Sequence, residues 1–312
     1  MAKYWTAQDV PPCTGMVALI TGASSGLGLY MAGALAARGA RVLLACRDVS
    51  RGRRAVAAAR SSAADGGTAE LAVLDLADLA SVRRAAAEIG ERCPDGLDIL
   101  INNAGVMGTP CRRTVDGFEL QMATNHLGPA ALTWLLCPVL RVARAPRVVT
   151  VSSLEHRRAE LRLNGGGLGG EAYRPLRAYA DSKLAALLFA FELDRRARRA
   201  GMAMISVAAH PGVAYTHLMA NTLGSRNRLL APFGLIPVPG LTQPVRMGAA
   251  PILFAATMPA VHGGEFYGPN GWQEIRGYPD LVKAADRAYE MTAAERVWDM
   301  TAAMTKVMPD PQ

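Results

Sequence analysis

The motif TGASSGLG, from Thr21 to Gly28, is the strongest indication of the fold of this chain. It follows the apolar run 16–21 (MVALIT), which is typical of a buried strand, and it opens an amphipathic stretch at 26–38. In such a strand–turn–helix unit the first glycine permits a tight turn, the second leaves room for a phosphate, and the third lets helix and strand pack closely. The free N–H groups at the start of the helix then face a pyrophosphate. The residues expected to contact it are Gly22, Ser24, Ser25, Gly26, Leu27 and Gly28.

The rest of the chain alternates short β-rich apolar runs with longer amphipathic ones, which is the pattern of repeated βαβ units. Strands are predicted at 16–21, 41–46, 70–75, 97–102, 147–152 and 204–209, with a weaker seventh near 264–268. Helices are predicted at about 26–38, 50–62, 79–92, 117–140, 177–200 and 244–258. We therefore predict an α/β fold in one domain over residues 1–312, a doubly wound Rossmann-type parallel sheet of about seven strands with helices on both faces.

Two irregular stretches, 154–178 and 213–243, interrupt this alternation, and each follows a predicted strand. Long irregular segments in compact α/β domains are usually binding loops, and open parallel sheets bind ligands at the carboxyl ends of their strands. We therefore expect both stretches to surround a substrate. The second stretch, 213–243, has apolar side chains that favour a bulky apolar substrate. These are Leu229, Leu230, Phe233, Leu235, Ile236 and Val238. The C-terminal stretch 279–308 is predicted to be a helical extension.

Composition narrows the class of protein. The chain of 312 residues has 51% hydrophobic residues and a net charge of +8, which argues against intrinsic disorder. Only four of its 34 basic residues are lysine, and the arginines are spread over several segments, which is typical of solvated helix faces and not of a nucleic-acid reader. The five cysteines and five histidines lack ligand or disulfide spacing, so no metal site is expected. No signal peptide or membrane-spanning run is recognisable, so we expect a cytoplasmic protein without nucleic-acid partners or stable membrane insertion.

The candidate catalytic pair is Tyr179 and Lys183 in YADSK. Helical spacing of four residues brings the two side chains onto one face, where an ammonium group lowers the pKa of a neighbouring phenol and makes it a useful general acid or base. Ser153 follows the predicted strand 147–152, and a hydroxyl there can hydrogen-bond a substrate oxygen that gains charge. Ser152 is the weaker candidate, because successive strand residues point in opposite directions.

Together these motifs resemble the short-chain dehydrogenases/reductases: TGASSGLG, NNAG, NHLG, VSS, YADSK and HPG occur in the family's order. The resemblance covers roughly residues 14–275, and ACRD, NHLGPAALT, VSSLEH and FYGPNG are most similar to the branch of retinol dehydrogenases and protochlorophyllide reductases. The resemblance implies that Tyr179 exchanges a proton with the substrate, that Ser153 orients and polarises its carbonyl, and that Lys183 holds the nicotinamide ribose. It also implies that Asn125 supports a proton relay behind Lys183.

The same resemblance implies contacts with a nicotinamide dinucleotide. Those on the adenosine side are Asp75, Leu76, Asn103, Ala104 and Gly105, and those flanking the nicotinamide are Pro211, Gly212, Val213 and Thr216. The end of the second strand bears on the choice of cofactor. NAD enzymes place a carboxylate there to bond the ribose 2′-OH, whereas this sequence has Cys46 followed by Arg47, which favours the 2′-phosphate of NADP(H). The basic residue that often precedes the second glycine in the family is Ser25 here, which leaves NAD(H) open.

The leading hypothesis is an NADPH-dependent reductase of ketones or aldehydes on a bulky apolar substrate, such as a lipid, retinoid, steroid or polyketide. Two alternatives stay open: NAD-dependent oxidation of an alcohol, and a non-catalytic dinucleotide sensor. Many relatives pair through helices equivalent to 117–140 and 177–200, so a homodimer is a further expectation, although this branch also includes monomers.

Overall fold

A single mostly parallel sheet organises the chain. The computed structural model describes residues 4–64, 66–161, 173–214 and 242–311. The strands are β1 (Val17–Thr21), β2 (Arg41–Cys46), β3 (Thr68–Val73), β4 (Ile99–Asn102), β5 (Arg147–Val151), β6 (Ile205–Ala209), β7 (Phe266–Pro269) and β8 (Pro279–Leu281). Their order is β3-β2-β1-β4-β5-β6-β7-β8, and only β8 runs antiparallel to its neighbour. The order reverses between β1 and β4, which is where doubly wound sheets open a ligand crevice.

Helices cover both faces of the sheet. They are α1 (Gly26–Ala36), α2 (Val49–Arg60), α3 (Leu79–Arg92), α4 (Leu120–Met122), α5 (Gly128–Val142), α6 (Pro175–Arg199), α7 (Val245–Thr257) and α8 (Met291–Thr305). One apolar core joins α1, α2 and α7 to the sheet, and a second joins α3 and α5 to the opposite face. Asp48 and Asp78 begin α2 and α3, because each carboxylate accepts hydrogen bonds from the first-turn amides. The predicted doubly wound α/β fold is therefore confirmed.

Two strands differ from the prediction. Within the described residues the sheet has eight strands where about seven were expected, because residues 279–281, which we assigned to a helical extension, form β8 and pair with β7. A strand of three residues is too short for its hydrophobic period to show in the sequence. In addition, β3 ends at Val73 and not at 75. Asp75 therefore lies in the following turn, where its amide donates to Ser81 Oγ at 3.0 Å.

The predicted helix 117–140 is also different in detail, since it begins at Leu120 and contains a five-residue π-turn, Ala123–Leu127, between α4 and α5. Turns of this kind are rare and often lie at functional sites. Asn125, a predicted site residue, lies in the middle of this turn. Sequence periodicity does not reveal it, because one extra residue per turn barely disturbs the apolar pattern.

The C-terminal helix α8 packs against α5 and α6. Trp298 of α8 stacks on Phe189 of α6, with ring centroids 5.4 Å apart, and meets Trp134 of α5 edge-on at 4.8 Å. Arg196 lies over the indole of Trp298 at 4.7 Å. Helices α5 and α6 are the two through which a homodimer was expected, so α8 covers part of that surface.

The sequence suggested that the arginines lie on solvated helix faces, but some of those on α6 pair with a buried carboxylate. Glu192 is buried, with 1% of its side chain exposed, and it forms ion pairs with Arg195, Arg196 and Arg199. The side chains of Arg195 and Arg196 are themselves only 24% and 20% exposed. Part of the arginine surplus therefore compensates a buried carboxylate.

Candidate active site

The carboxyl ends of β1, β2 and β4 surround a cavity of about 280 Å³. It is lined by the glycine loop, by Arg47, by Asp75 with Leu76, and by the turn 103–105. The sequence-predicted dinucleotide contacts on the phosphate and adenosine sides thus meet at one place. Val106, Thr124 and Arg51 line the cavity as well, and sequence reasoning missed them.

The glycine loop fits a pyrophosphate because of its backbone conformation. Gly22 and Gly26 have φ values of +66° and +57°, which favour glycine. A Cβ at Gly28 would lie 2.7 Å from the Gly22 carbonyl oxygen, so the missing side chain lets α1 approach the loop. Ser25, at the start of α1, forms no side-chain capping bond, which leaves first-turn amides available to an anionic ligand.

Thr21 connects the two strands that flank the switch point, a role that the sequence did not suggest although the motif includes this residue. Its fully buried hydroxyl accepts hydrogen bonds from the amides of Asn103 and Ala104, both at 3.0 Å. The Asn103 side chain donates in return to the Thr21 carbonyl at 2.8 Å. These bonds hold the end of β4 against the glycine loop.

The last residue of β2 is Cys46, and the cavity beside it is lined by Arg47 and Arg51 together with the carboxylates Asp48 and Asp75. Burial raises the pKa of the Cys46 thiol to about 11, so this group is neutral near neutral pH. The Arg47 side chain is 73% exposed, and its Nε lies 3.9 Å from Asp75 Oδ2, which is a weak pairing. Arg51 lies one helical turn further on and also borders the cavity. Two guanidinium groups are therefore available at this end.

Tyr179 and Lys183 are buried on α6, with 4% exposure each. Lys183 Nζ lies 5.9 Å from the centre of the Tyr179 ring and donates to the Val151 carbonyl at 2.8 Å. Burial lowers the pKa of Lys183 to about 8. The pKa of Tyr179 is raised by burial to about 12, against the lowering effect of a hydrogen bond with Ser153. Desolvation therefore dominates the pKa of the phenol, and the expected lowering by Lys183 stays a prediction.

The two serines after β5 have different partners. Ser152 is buried and its Oγ donates to the Lys183 carbonyl at 3.2 Å. Ser153 is less buried, and its hydroxyl hydrogen-bonds Tyr179 and also accepts from the Glu155 amide at 3.3 Å. Ser153 thus lies beside the phenol, whereas Ser152 supports the backbone of α6.

The Asn125 side chain uses its polar groups within the protein. Its Oδ1 accepts from the Val106 amide at 2.8 Å, and its Nδ2 donates to the Val106 carbonyl and to Ser182 Oγ, both at 2.9 Å. A Cβ on Gly105 would lie 3.2 Å from Asn125 Oδ1 and 3.5 Å from Lys183 Nζ. Asn125 therefore holds the 105–106 turn close to Lys183.

The predicted nicotinamide side begins after β6. Gly212 has a φ of +59°, and a Cβ there would lie 2.4 Å from the Ile275 carbonyl oxygen. The Val213 amide donates to that same carbonyl at 2.8 Å. Gln243, which sequence reasoning missed, donates to the Pro211 carbonyl at 2.7 Å. These contacts set the course of residues 211–213, whereas Thr216 lies outside the described residues.

His210, the first residue of the HPG motif, hydrogen-bonds the turn and a distant carboxylate. Its Nδ1 accepts from the Gly212 amide at 3.2 Å, so its Nε2 carries the proton and donates to Glu274 Oε2 at 2.9 Å. Burial lowers the pKa of this imidazole. The neutral ring therefore links the turn to the segment that follows β7.

The two expected substrate loops are described only in part, since 162–172 and 215–241, with the apolar side chains of the second loop, lie outside the described residues. Near the end of the first loop, Tyr173 donates to Glu119 Oε1 and accepts from Gln121 Nε2, both at 2.8 Å. Ala214 pairs with Gln243, so the two described ends of the second stretch lie side by side. The described residues that precede the two stretches, Ser153 and Gly212, belong to the site described above.

Two further features bear on the sequence predictions. Within 4–64, 66–161, 173–214 and 242–311, no three His, Cys, Asp or Glu side chains converge in a way that could hold a metal ion. In the same part of the chain, none of the helices combines the length and apolar character needed to cross a bilayer.

The fold and this site together define a dinucleotide-binding enzyme of the Rossmann type, and comparisons with known proteins identify its family. A family model described as short chain dehydrogenase matches residues 16–226. Dehydrogenase/reductase SDR family member 13 of Bos taurus is 38% identical over 299 residues, covering 92% of this chain and 76% of the relative. Retinol dehydrogenase 12 of Mus musculus is 42% identical over 223 residues, covering 70% of this chain and 68% of the relative.

Solved structures agree. An uncharacterised protein from Mycobacterium paratuberculosis has a TM-score of 0.79 and 39% identity, over 97% of this chain and 98% of that chain. A Beutenbergia cavernae protein assigned provisionally as an NAD(P)-dependent gluconate 5-dehydrogenase, solved with NADP at low occupancy, has a TM-score of 0.62 and 26% identity, over 81% of this chain and 94% of that chain. The chain belongs to the short-chain dehydrogenase family, in its retinol dehydrogenase-like branch, and it is an oxidoreductase that acts on CH–OH or C=O groups.

Proposed function

We propose that this enzyme uses NADPH to reduce a ketone or aldehyde on a bulky apolar substrate to the alcohol. The observation that carries the proposal is the group formed by Ser153, Tyr179 and Lys183 next to the dinucleotide cavity. A non-catalytic sensor has no need of a buried phenol that hydrogen-bonds a serine hydroxyl at this place, because burying polar groups costs free energy. An active enzyme is therefore favoured over a sensor.

The chemistry assigns each side chain a task. A bound nicotinamide cofactor supplies hydride to the carbonyl carbon. Ser153 donates a hydrogen bond to the substrate oxygen, and Tyr179 gives its phenolic proton to that oxygen as negative charge develops. Lys183, buried beside the phenol, stabilises the phenolate that remains. Alcohol oxidation would use the same groups in reverse, with Tyr179 as the base.

The preference for NADPH rests on the end of β2. Cys46 cannot repel a 2′-phosphate as a carboxylate would, and Arg47 and Arg51 offer positive charge at the adenosine end of the cavity. Guanidinium groups bind phosphate with paired hydrogen bonds. The NADP found in the Beutenbergia cavernae structure supports the same choice for this fold.

The proposed substrate class rests on two observations. The stretch 213–243 contains six leucines together with Phe233, Ile236 and Val238, and apolar loops suit apolar substrates. Several relatives are named retinol dehydrogenases, which indicates that this branch accepts an apolar polyene alcohol or the aldehyde related to it. We include lipids, retinoids, steroids and polyketides in the proposed class.

Location and assembly complete the proposal. All five cysteines are free thiols, which suits the reducing cytoplasm. A homodimer would have to pair through the parts of α5 and α6 that α8 leaves exposed. Light scattering after gel filtration tests this: the mass of a dimer supports it, and the mass of a monomer at all concentrations rejects it.

The decisive experiment measures NADPH and NADH oxidation with aromatic, lipid and polyketide-like carbonyl compounds. We expect turnover with NADPH, and a loss of about 100-fold or more in kcat for Tyr179→Phe, which lacks the proton to transfer. Tyr267→Phe is the matched control, because it removes another buried hydroxyl that binds Glu265 away from the site. Full activity of Tyr179→Phe would reject the catalytic assignment. Activity only with alcohols and NAD⁺ would reverse the proposed direction and cofactor.

A further inference from the structure

Two turns that carry site residues each contain a buried histidine that the proposed reaction does not use. His126 follows Asn125 in the π-turn Ala123–Leu127, and His156 lies three residues after Ser153. Both imidazoles are inside the protein, with 1% and 0% exposure. A buried imidazole needs hydrogen-bond partners, so the identity of those partners shows what each histidine connects.

His126 connects the π-turn to the C-terminal helix. Its Nε2 lies 2.7 Å from Thr301 Oγ1 of α8. The Thr301 hydroxyl donates its own proton to the Val297 carbonyl at 2.7 Å, so the oxygen must accept the Nε2–H of the ring. Thr301 is fully buried, and water therefore cannot replace it easily. The bond joins residues 175 positions apart in the sequence.

His156 connects the Ser153 turn to the segment before α8. Its Nδ1 lies 2.6 Å from the Ser153 carbonyl oxygen, which can only accept, so Nδ1 carries the proton. Its Nε2 then accepts the amide hydrogen of Ala285 at 3.1 Å. One neutral tautomer satisfies both bonds. The ring thus joins the backbone of the proposed carbonyl-orienting serine to the C-terminal extension.

Helix α8, at the other end of the His126 bond, is firmly packed. Trp298 of α8 stacks on Phe189, and Phe189 in turn contacts the His126 ring edge-on at 6.0 Å. The π-turn contains one residue more per turn than an α-helix, a conformation that persists only where its surroundings hold it. A directional bond to a rigid helix supplies such support, which apolar packing alone does not.

We propose that the C-terminal extension positions the active site through two of its residues, Ala285 and Thr301. Ala285 holds His156, which orients the Ser153 turn, and Thr301 holds His126, which orients the Asn125 turn. This inference rests on the proposed function only in taking Ser153 and Asn125 as site residues. His126, His156 and Thr301 are positioning residues, because they act through the two turns.

Substitutions at Thr301 test the His126 link. Thr301→Val removes the acceptor and leaves a buried N–H unsatisfied, so we expect kcat to fall by about fivefold or more with little change in the dissociation constant for NADPH. Thr301→Ser keeps the hydroxyl and is expected to restore kcat. Thr305→Val is the matched control, since it removes a buried hydroxyl of the same helix that donates only to the Thr301 carbonyl.

A proline at Ala285 tests the His156 link. The φ of −58° at Ala285 suits proline, so Ala285→Pro removes the amide hydrogen with little backbone strain. Ala285→Ser keeps the amide and serves as the control. We expect kcat to fall for the proline variant alone, and its pH profile to change because the Ser153 turn is no longer held.

Nitrogen-15 NMR of the imidazoles gives a readout that needs no activity. We expect wild-type protein to show His156 protonated at Nδ1 and His126 at Nε2, and Thr301→Val to shift only the signals of His126. Wild-type kcat in both Thr301→Val and Ala285→Pro, or the opposite tautomers in wild-type protein, would overturn the inference. Correct tautomers in a protein that turns over no carbonyl or alcohol would instead reject the proposed function.

Discussion

Replacing Gly28 by alanine is expected to weaken dinucleotide binding or lower stability, whereas the same change at Gly33, also on α1, is expected to be tolerated. A Cβ at Gly28 would lie 2.7 Å from the Gly22 carbonyl oxygen and 2.9 Å from Ala23 Cα, both backbone atoms of the glycine loop. At Gly33 the nearest atom would be Ser62 Oγ at 3.7 Å, which is an ordinary contact. The two glycines share a helix and differ in what surrounds them.

The size of the effect follows from these distances. Contacts below 3.0 Å to backbone atoms force the loop or the helix to move, and overpacking of this kind costs about 1–3 kcal/mol. If the loop moves, the cost appears as weaker binding of NADPH, by about fivefold to about 150-fold. At Gly33 alanine is expected to raise the free energy of unfolding by about 0.5–1 kcal/mol, because alanine favours the helix.

The assay combines urea unfolding with titration of NADPH fluorescence for wild type, Gly28→Ala and Gly33→Ala. We expect Gly28→Ala to lose stability, affinity for NADPH, or both. We expect Gly33→Ala to gain stability and to bind as wild type does. If Gly28→Ala has wild-type stability and wild-type affinity, the reasoning from close backbone packing is refuted.

Three further changes test other parts of the site and core. Arg47→Asp is expected to weaken NADPH binding by about tenfold or more relative to NADH binding. Arg53→Asp, on the exposed face of α2, is the control and is expected to leave the ratio of the two dissociation constants unchanged. An equal loss of affinity for both cofactors would contradict the proposed contact between Arg47 and the 2′-phosphate. Thr21→Val leaves the amides of the 103–104 turn unpaired, so urea unfolding is expected to show a free energy of unfolding lower by about 1–3 kcal/mol. Thr21→Ser keeps the hydroxyl and is expected to have the free energy of unfolding of the wild type. Burial lowers the pKa of His126 to about 3 and of His156 to about 4, so the unfolded chain takes up protons first as pH falls below the ordinary value of 6.5. For the two histidines together, the free energy of unfolding should then fall by about 2.7 kcal/mol for each unit that the pH falls, until His156 takes up a proton in the folded protein. A urea midpoint that does not change over this pH range would contradict the prediction.

The sheet was predictable because its central strands are buried on both faces and appear as continuous apolar runs. The same reasoning failed for β8, whose three residues carry no period, and for the π-turn around Asn125, which leaves the apolar spacing almost unchanged. It also placed β3 two residues too late, because the apolar residue Leu74 continues the pattern beyond the last strand residue, Val73. Local periodicity thus locates elements better than it locates their ends.

The sequence predicted those site residues that lie close together within a single motif. Lys183 follows Tyr179 by one helical turn, and the glycine loop forms a continuous stretch, so spacing alone brought these groups together. Thr21 and Gln243 were missed because each acts by a hydrogen bond to residues far away in the chain. Nothing in the local sequence distinguishes such a threonine or glutamine from a surface residue.

Local spacing along the chain was enough to predict the doubly wound sheet, and it placed the candidate catalytic residues Tyr179 and Lys183 together on one helix. The pKa values of these two groups depend on the packed structure. Burial raises the pKa of Tyr179 to about 12 and lowers that of Lys183 to about 8, opposite to what an exposed pair on one helix would show for the tyrosine. The tertiary structure also brought His126 and His156 to the C-terminal extension. Desolvation and contacts between distant segments depend on the packed chain, and no spacing rule in the sequence contains them.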